Sequence, residues 1–258
     1  MGLKILVAIK HVIDVELNIK VKDGQLDLEG LQYVMSAWDE NAVEEAVALK
    51  ESHDAETVVI SIGSDDATVS IRKAFAMGID AGIHVSDPNL RYPDSLTVAK
   101  IINGVRQDKN FDLILLGRQA QDTDNGLTAG LLAEIADLPF VANATKIEVI
   151  DEKKLKVTRQ ADIGKEVIEL SLPAVISVND SINEPRLASL KGIMQAKKKT
   201  IETMDAGLLG IDSGEASLVE VMEFLPPVAR AQGQKFDGDA QEITEKVVGL
   251  LINEAKVL

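Results

Sequence analysis

The chain of 258 residues contains no cysteine, only three histidines and very few aromatic residues. Without cysteine, disulfides, thiolate metal ligands and a cysteine nucleophile are excluded. The histidines (His11, His53 and His84) are too widely spaced to indicate a set of metal ligands. Basic residues are also scarce: 27 lysines and arginines face 42 acidic residues, a net charge of −15. This charge disfavours nonspecific binding to nucleic acids or to anionic membranes, since both require a cationic surface.

Long apolar runs and the motifs of nucleotide hydrolases are missing as well. No apolar run approaches the length of a membrane span, and the sequence starts directly with a strand-like segment, residues 4–10, without a signal peptide. We therefore expect a soluble protein in a reducing, cytoplasmic compartment. The sequence contains no GxxxxGKS/T motif and no SGGxDS-like pyrophosphatase loop. Their absence disfavours a nucleotide-hydrolysing or adenylating enzyme.

The stretch from Phe111 to Ala133 predicts a ligand site at the end of a buried strand. Its apolar start, residues 111–116, is typical of a strand in a parallel sheet that is covered on both faces. A polar loop follows, and then a helix pattern for which Asp124 or Asn125 is the expected N-cap. Unpaired N–H groups at such a helix start bind anions in open α/β sheets. The same pattern also fits an ordinary strand-to-helix connection.

The order of patterns predicts an α/β fold. Apolar strand patterns alternate with amphipathic helix patterns up to Pro139, which indicates a mostly parallel sheet with helices on both faces. Three later segments alternate apolar and polar residues and predict an added antiparallel meander. These segments are residues 145–150, 154–159 and 167–172.

The end of the chain predicts a separate arm. The Pro226-Pro227 pair indicates a linker, and a final helix pattern over residues 239–255 carries an apolar stripe that a lone helix cannot bury. We therefore expect an α/β nucleotide-binding domain over residues 1–225 and a C-terminal arm over residues 226–258.

Residues 183–199, NEPRLASLKGIMQAKKK, concentrate basic residues in an otherwise acidic chain. Helical spacing would place Leu187, Leu190 and Met194 on one side, a pattern that also fits a core-facing stripe. The terminal lysines fit either a solvated helix end, where the dipole favours cations, or a basic surface for an acidic partner. Both interpretations are open on the residues alone.

Several motifs, taken in order, carry a resemblance to a known family. They are LVAIKHVID, AVEEAVALKE, IRKAFAMGID followed by GIHV, LLGRQAQD, and above all NEPRLASLKGIMQAKKK. The whole chain resembles the beta subunit of electron-transfer flavoprotein. The resemblance implies an adenine-nucleotide alpha-hydrolase-like fold and a heterodimer with an alpha subunit that carries the redox FAD. It also implies a non-catalytic carrier that passes electrons from acyl-CoA-type flavin dehydrogenases, as in fatty acid oxidation, to a quinone oxidoreductase.

The resemblance also implies that this subunit holds AMP. Carried over by position, the cofactor-binding residues are Ala8, Ser36, Ala37, Trp38, Asp39, Ile62, Gly63, Asp122, Thr123, Asp124, Asn125, Gly126, Leu127, Thr128 and Ala129. Many members have Gln-Thr-Gly where this chain has Leu127-Thr128-Ala129, so one polar contact to the ligand is lost. In the electron-bifurcating branch of the family, a second FAD occupies the same pocket and receives hydride from NADH. That branch is the alternative.

The family resemblance gives residues 183–199 the role of a recognition loop for the partner dehydrogenase. The partner-binding residues carried over are Leu187, Leu190, Lys191, Ile193, Met194, Lys197 and Lys198. Leu190 matches the leucine that anchors in an apolar pocket of the dehydrogenase. The C-terminal arm is expected to dock on the alpha subunit.

Overall fold

The computed structural model describes residues 2–86, 90, 92–211, 217–228 and 232–258. Contacts divide the chain into two units, Met1–Phe224 and Leu225–Leu258. The first elements of the larger unit are β1 (Lys4–Ile9), β2 (His11–Ile13), β3 (Lys20–Lys22), β4 (Gln25–Asp27), β5 (Tyr33–Met35), α1 (Ala37–His53), β6 (Glu56–Ile62), α2 (Thr68–Met77) and β7 (Ala81–Val85). They are followed by α3 (Ser95–Lys109), β8 (Leu113–Gly117), α4 (Thr128–Ala136), β9 (Phe140–Asp151), β10 (Lys154–Ala161), β11 (Gly164–Ser171), β12 (Ala174–Val178), α5 (Leu190–Ala196) and β13 (Glu202–Met204).

A large sheet forms the centre of this unit. Within the described residues its strand order is β11-β10-β9-β12-β8-β1-β6-β7-β13. In this spatial order, every pair of neighbouring strands from β9 through β12, β8, β1, β6 and β7 to β13 is parallel. Strand β10 pairs antiparallel with both β9 and β11. The predicted α/β class, with a mostly parallel sheet and an added antiparallel meander, is confirmed.

Helices cover both faces of the sheet because successive strand residues point to opposite sides. On one face, α1 and α2 pack against a core that includes Ile5 and Val7. On the other face, α3 and α4 enclose a core that includes Leu6 and Ile114. Strands buried on both faces are apolar at nearly every position, which explains the unbroken runs in the sequence.

The direction in which the chain crosses the sheet reverses beside β1. From β1 the chain passes through α1 to β6 on one side of β1. It later returns from β7 through α3 to β8, which lies on the other side. Open α/β sheets bind ligands at such a switch point, outside the carboxyl ends of the strands.

Strand β9 is longer than the sequence pattern predicts. The meander was expected to begin at residue 145, but β9 begins at Phe140 and its first residues pair in parallel with β12. The later residues of β9 pair with β10. The first part was missed because its pairing partner lies far along the chain, so no local hairpin signal marks it.

The smaller unit contains the predicted C-terminal helix. Helix α6 (Ala240–Leu250) continues as a single π-helical stretch, Leu251–Ala255. The Asp239 side chain caps α6 by accepting a hydrogen bond from the Gln241 N–H at 2.9 Å. No helix in the described ranges has the length and apolar character needed to cross a membrane.

Candidate functional site

A cleft opens at the carboxyl ends of β1, β6 and β8, at the switch point of the sheet. It contains about 820 Å³ of atom-free space, part of it continuous with solvent. The lining residues are Ala8, Ile9, Lys10, Asp39, Ile60, Ile62, Pro93, Ser95, Val98, Ile102, Leu116, Gly117, Arg118, Gln119, Ala120, Thr123, Asn125, Gly126, Thr128 and Ala129. Apolar side chains from β6 and α3 form one part of the lining, and the loop after β8 and the start of α4 form another.

Asp39, in the first turn of α1, joins the ends of the two central strands. One carboxylate oxygen accepts the Lys10 N–H at 2.8 Å, just beyond β1, and the other accepts the Gly117 N–H at 3.1 Å, at the end of β8. Burial raises the pKa of Asp39 to about 7, although these two hydrogen bonds and the nearby Lys10 charge oppose the rise. Asp39 therefore fixes the spacing of the strands on the floor of the cleft.

The loop from Arg118 to Gly126 is tied to its surroundings at several points. Gln121 Oε1 accepts the Ala37 N–H at 3.1 Å, so this loop residue caps α1. Lys10 Nζ forms a 2.8 Å ion pair with Asp122, and Gln119 Nε2 donates to Asp124 Oδ1 at 2.8 Å. These contacts hold the polar loop against the cleft.

The expected cap of α4 is wrong. Asp124 or Asn125 was predicted to cap the helix, but α4 begins at Thr128 with Leu127 at the N-cap position. Asp124 instead accepts its hydrogen bond from Gln119. Because leucine has no polar side-chain atom, the first N–H groups of α4 are left available for an anion.

The structure brings many of the predicted cofactor residues into the cleft wall. These are Ala8, Asp39, Ile62, Thr123, Asn125, Gly126, Thr128 and Ala129. The others lie beside it in supporting positions or on the surface. The Ser36 hydroxyl is buried and accepts the Gln121 N–H, the Trp38 ring lies 5.6 Å from the Arg118 guanidinium carbon, and Leu127 is exposed. Ala37 and Asp122 take part in the loop contacts described above, and the Gly63 N–H donates to Val85 O.

The predicted cofactor-binding residues include none from α3 and neither of the two cations that line the cleft. Pro93, Ser95, Val98 and Ile102 line the cleft because α3 covers the face of the sheet on which α4 begins. That placement depends on tertiary packing and has no local signal. Lys10 and Arg118, by contrast, directly follow strands β1 and β8, so the rule that ligands lie at strand ends could have identified them.

The cleft combines an apolar wall with groups that bind anions. Arg118 supplies positive charge in a strongly acidic chain, whereas the Lys10 charge is paired with Asp122. Thr128 adds a hydroxyl group at the helix start. This combination suits a ligand with a flat apolar part and an anionic part.

Residues 183–199 form a second candidate site on the α1 and α2 side of the sheet. The alternative of a core-facing stripe is excluded, because Leu187 is 96% exposed, Leu190 80% and Met194 63%. Ile193, Lys191, Lys197 and Lys198 are also exposed. Lys199 differs, since its ammonium group donates to the Asp80 carbonyl at 3.0 Å and burial lowers its pKa. The segment presents apolar and basic side chains to solvent.

The fold and the cleft together define a doubly wound α/β domain with a ligand-sized cleft at its switch point. The profile of the Electron transfer flavoprotein domain matches residues 23–209. The chain belongs to the beta-subunit family of electron transfer flavoproteins, which confirms the resemblance seen in the sequence.

Relatives from different organisms match along almost the whole chain, and each is named Electron transfer flavoprotein subunit beta. The protein of Bacillus subtilis (strain 168) is 33% identical over 259 residues, covering 99% of this chain and 100% of the relative. That of Syntrophomonas wolfei is 39% identical, covering 100% and 99%. That of Sus scrofa is 39% identical, covering 96% of each. Members act in electron transfer rather than as conventional enzymes, and a beta subunit implies an alpha-subunit partner.

Proposed function

We propose that the chain is the non-catalytic beta subunit of a heterodimeric carrier. The carrier passes electrons from acyl-CoA-type flavin dehydrogenases, through an FAD of the alpha subunit, to a quinone oxidoreductase. Family membership supports the carrier role, and the net charge of −15 fits a cytoplasmic protein that avoids nucleic acid and anionic membrane surfaces. FAD supplies the reversible uptake of electrons, and the beta subunit supplies partner contacts and a structural nucleotide.

We further propose that the cleft holds AMP, and the observation that carries this is its position at the switch point beside the start of α4. The apolar wall, which includes Ile60, Val98 and Ile102, suits an adenine ring. The uncapped first turn of α4, with Thr128 and Ala129 in the cleft wall, suits a phosphate. Arg118 adds a cation to the lining of the cleft.

A second FAD in this cleft is the alternative. The observation that favours it is the open mouth, since a cleft continuous with solvent admits a ligand longer than a mononucleotide. In that case the heterodimer would oxidise NADH and bifurcate its electrons. The two functions differ in their electron donor, so the donor distinguishes them.

The exposed residues of 183–199 would contact the dehydrogenase. Leu187 and Leu190 offer exposed apolar anchors, and the exposed Lys191, Lys197 and Lys198 add positive charge to the same segment. A single buried leucine contributes about 1.5–3 kcal/mol, whereas exposed lysines mainly accelerate association. The unit Leu225–Leu258 would dock on the alpha subunit, because the apolar stripe of a lone helix needs a partner surface.

Anaerobic reduction of the purified heterodimer tests this function. An acyl-CoA dehydrogenase with its acyl-CoA substrate should bleach the flavin absorbance rapidly, and the reduced heterodimer should then reduce a quinone oxidoreductase. NADH alone should leave the flavin oxidised. Rapid bleaching by NADH, with no response to the dehydrogenase, would favour the bifurcating alternative.

A further inference from the structure

The segment 183–199 is anchored near its start by Arg186, which bridges two carboxylates of α1. The Arg186 Nε and Nη2 atoms donate to the two oxygens of Glu44, each at 2.9 Å. Its Nη1 and Nη2 atoms donate to Glu51 at 2.6 and 3.0 Å. The backbone N–H of Arg186 also donates to Glu44 at 3.0 Å. Main chain and side chain of this residue are therefore both fixed on α1.

A second set of contacts fixes the chain three residues earlier. Asn41 Nδ2 donates to the Asn183 carbonyl at 3.0 Å, and Asn183 Nδ2 donates to the Asn41 carbonyl at 3.1 Å. Asn183 Nδ2 also donates to Glu45 Oε2 at 3.1 Å. Such reciprocal bonds fix both the position and the direction in which the segment leaves the domain.

Helix α5 is held against α2 by its small residues. A Cβ atom on Gly192 would lie 2.5 Å from the Ala76 carbonyl oxygen, so the two backbones approach closely there. Ala196 is buried, and Arg72 Nη1 donates to the Ala196 carbonyl at 2.9 Å at the end of α5. With the small residues facing inward, the large apolar residues of α5 face solvent.

The chemistry of the Arg186 site favours orientation over stability. Glu44 is buried and Arg186 half-buried, and removing such charges from water offsets much of their mutual attraction. An apolar pair could stabilise the same junction equally well. A planar guanidinium also fixes the orientation of Arg186 relative to α1, because its N–H donors bind two carboxylates in a rigid, forked geometry. A lysine ammonium group cannot reproduce this geometry.

We propose that Arg186 is a positioning residue for partner binding: with Glu44 it holds Leu187 and Leu190 exposed in one orientation for an apolar pocket with a carboxylate-rich rim. The positive charges of the exposed Lys191, Lys197 and Lys198 are complementary to the negative charges of such a rim. Preorganisation strengthens binding by removing the entropy cost of ordering the segment at the moment of contact. This inference rests on the proposed function of residues 183–199.

The test is a kinetic comparison on the heterodimer with an acyl-CoA dehydrogenase as the electron donor. Arg186→Lys keeps the charge but loses the fork, so the KM for the flavoprotein should rise about tenfold while kcat and flavin content stay unchanged. Arg106→Lys in α3, whose Nε donates to Asn103 in the same helix, is the matched control and should leave the KM unchanged. Glu51→Gln perturbs the exposed half of the fork without leaving a buried charge unpaired, and should raise the KM about twofold to threefold.

A double-mutant cycle separates positioning from folding. If Arg186 acts by orienting Leu190, Arg186→Lys should raise the KM much less in a Leu190→Ala background than in the wild type. Independent effects in the cycle, or a lowered melting temperature with an unchanged KM, would overturn the inference. If Leu190→Ala alone leaves the KM unchanged, the proposed recognition surface itself fails. If Leu190→Ala raises the KM but Arg186→Lys and Glu51→Gln do not, only the positioning role fails.

Discussion

Gly117 and Asp39 approach so closely that a Cβ atom on Gly117 would lie 2.5 Å from Asp39 Oδ1. The absence of a side chain at Gly117 therefore lets the buried carboxylate accept the Gly117 N–H and the Lys10 N–H together. This contact joins the ends of β1 and β8 beneath the cleft.

Replacing Gly117 should disturb this contact. The added Cβ would also lie 2.7 Å from the Trp38 carbonyl carbon and 2.8 Å from the Asp39 nitrogen, so Gly117→Ala forces both the Asp39 side chain and the start of α1 to shift. It should lower the free energy of unfolding by about 1–3 kcal/mol, the usual cost of overpacking. Urea unfolding of the variant measures this. Gly130→Ala in α4 is the control, since its Cβ would make only an ordinary 3.6 Å contact with Phe140 and should cause no loss. Equal stability of the two variants would show that Asp39 tolerates displacement.

Asp39 should make stability depend on pH. Its folded-state pKa, about 7, lies above the usual 3.8, so the folded state holds this proton more tightly than the unfolded state. The stabilising contribution of the Asp39 proton is complete at pH values below the unfolded-state pKa of 3.8, and it is lost as the pH rises through about 7. Over this range the free energy of unfolding falls by up to about 1.4 kcal/mol per pH unit. Asp39→Asn should remove this part of the slope. An identical slope in both proteins, from urea unfolding across that range, would contradict the assignment.

The start of α4 should determine nucleotide binding. Thr128→Ala should weaken AMP binding by only about 0.5–1.5 kcal/mol, the value of one neutral hydrogen bond. Ala129→Arg should abolish binding, because Ala129 is a buried residue of the cleft wall and a large side chain there would occupy the phosphate position. Ile135→Arg, on an exposed part of the same helix, should bind normally. Full nucleotide stoichiometry in Ala129→Arg would place the ligand elsewhere.

Leu190 should matter for electron transfer and little for folding. Because its side chain is largely exposed, Leu190→Ala should change the free energy of unfolding by less than about 0.5 kcal/mol. Electron transfer from the dehydrogenase should fall about tenfold through lost binding. Leu28→Ala, an exposed leucine next to β4, should behave like the wild type in both assays. A variant that unfolds more easily but transfers electrons normally would make Leu190 a stability residue.

The C-terminal unit should contribute to assembly. Deleting residues from Gln234 onward removes α6 and should weaken heterodimer formation, while the larger unit, which has its own core, stays folded. Calorimetric titration with the alpha subunit measures the affinity, and circular dichroism of the truncated chain checks its fold. Unchanged affinity would remove the arm from the interface.

The sequence predicted features that depend on local pattern and missed those set by tertiary packing. The apolar run at β8 indicated a buried parallel strand, and the structure agrees. The outward direction of Leu190 was not evident from helical spacing, although Gly192 and Ala196, four residues apart, marked the face that packs on α2. The contribution of Val98 to the cleft required knowledge of which face of the sheet α3 covers.

The most direct test of a carrier with a structural nucleotide is the cofactor content of the purified heterodimer after denaturation. Chromatography of the released small molecules, calibrated against protein concentration, should find one FAD and one AMP per heterodimer. Two FAD and no AMP would contradict the structural role of AMP in the cleft and identify the bifurcating type.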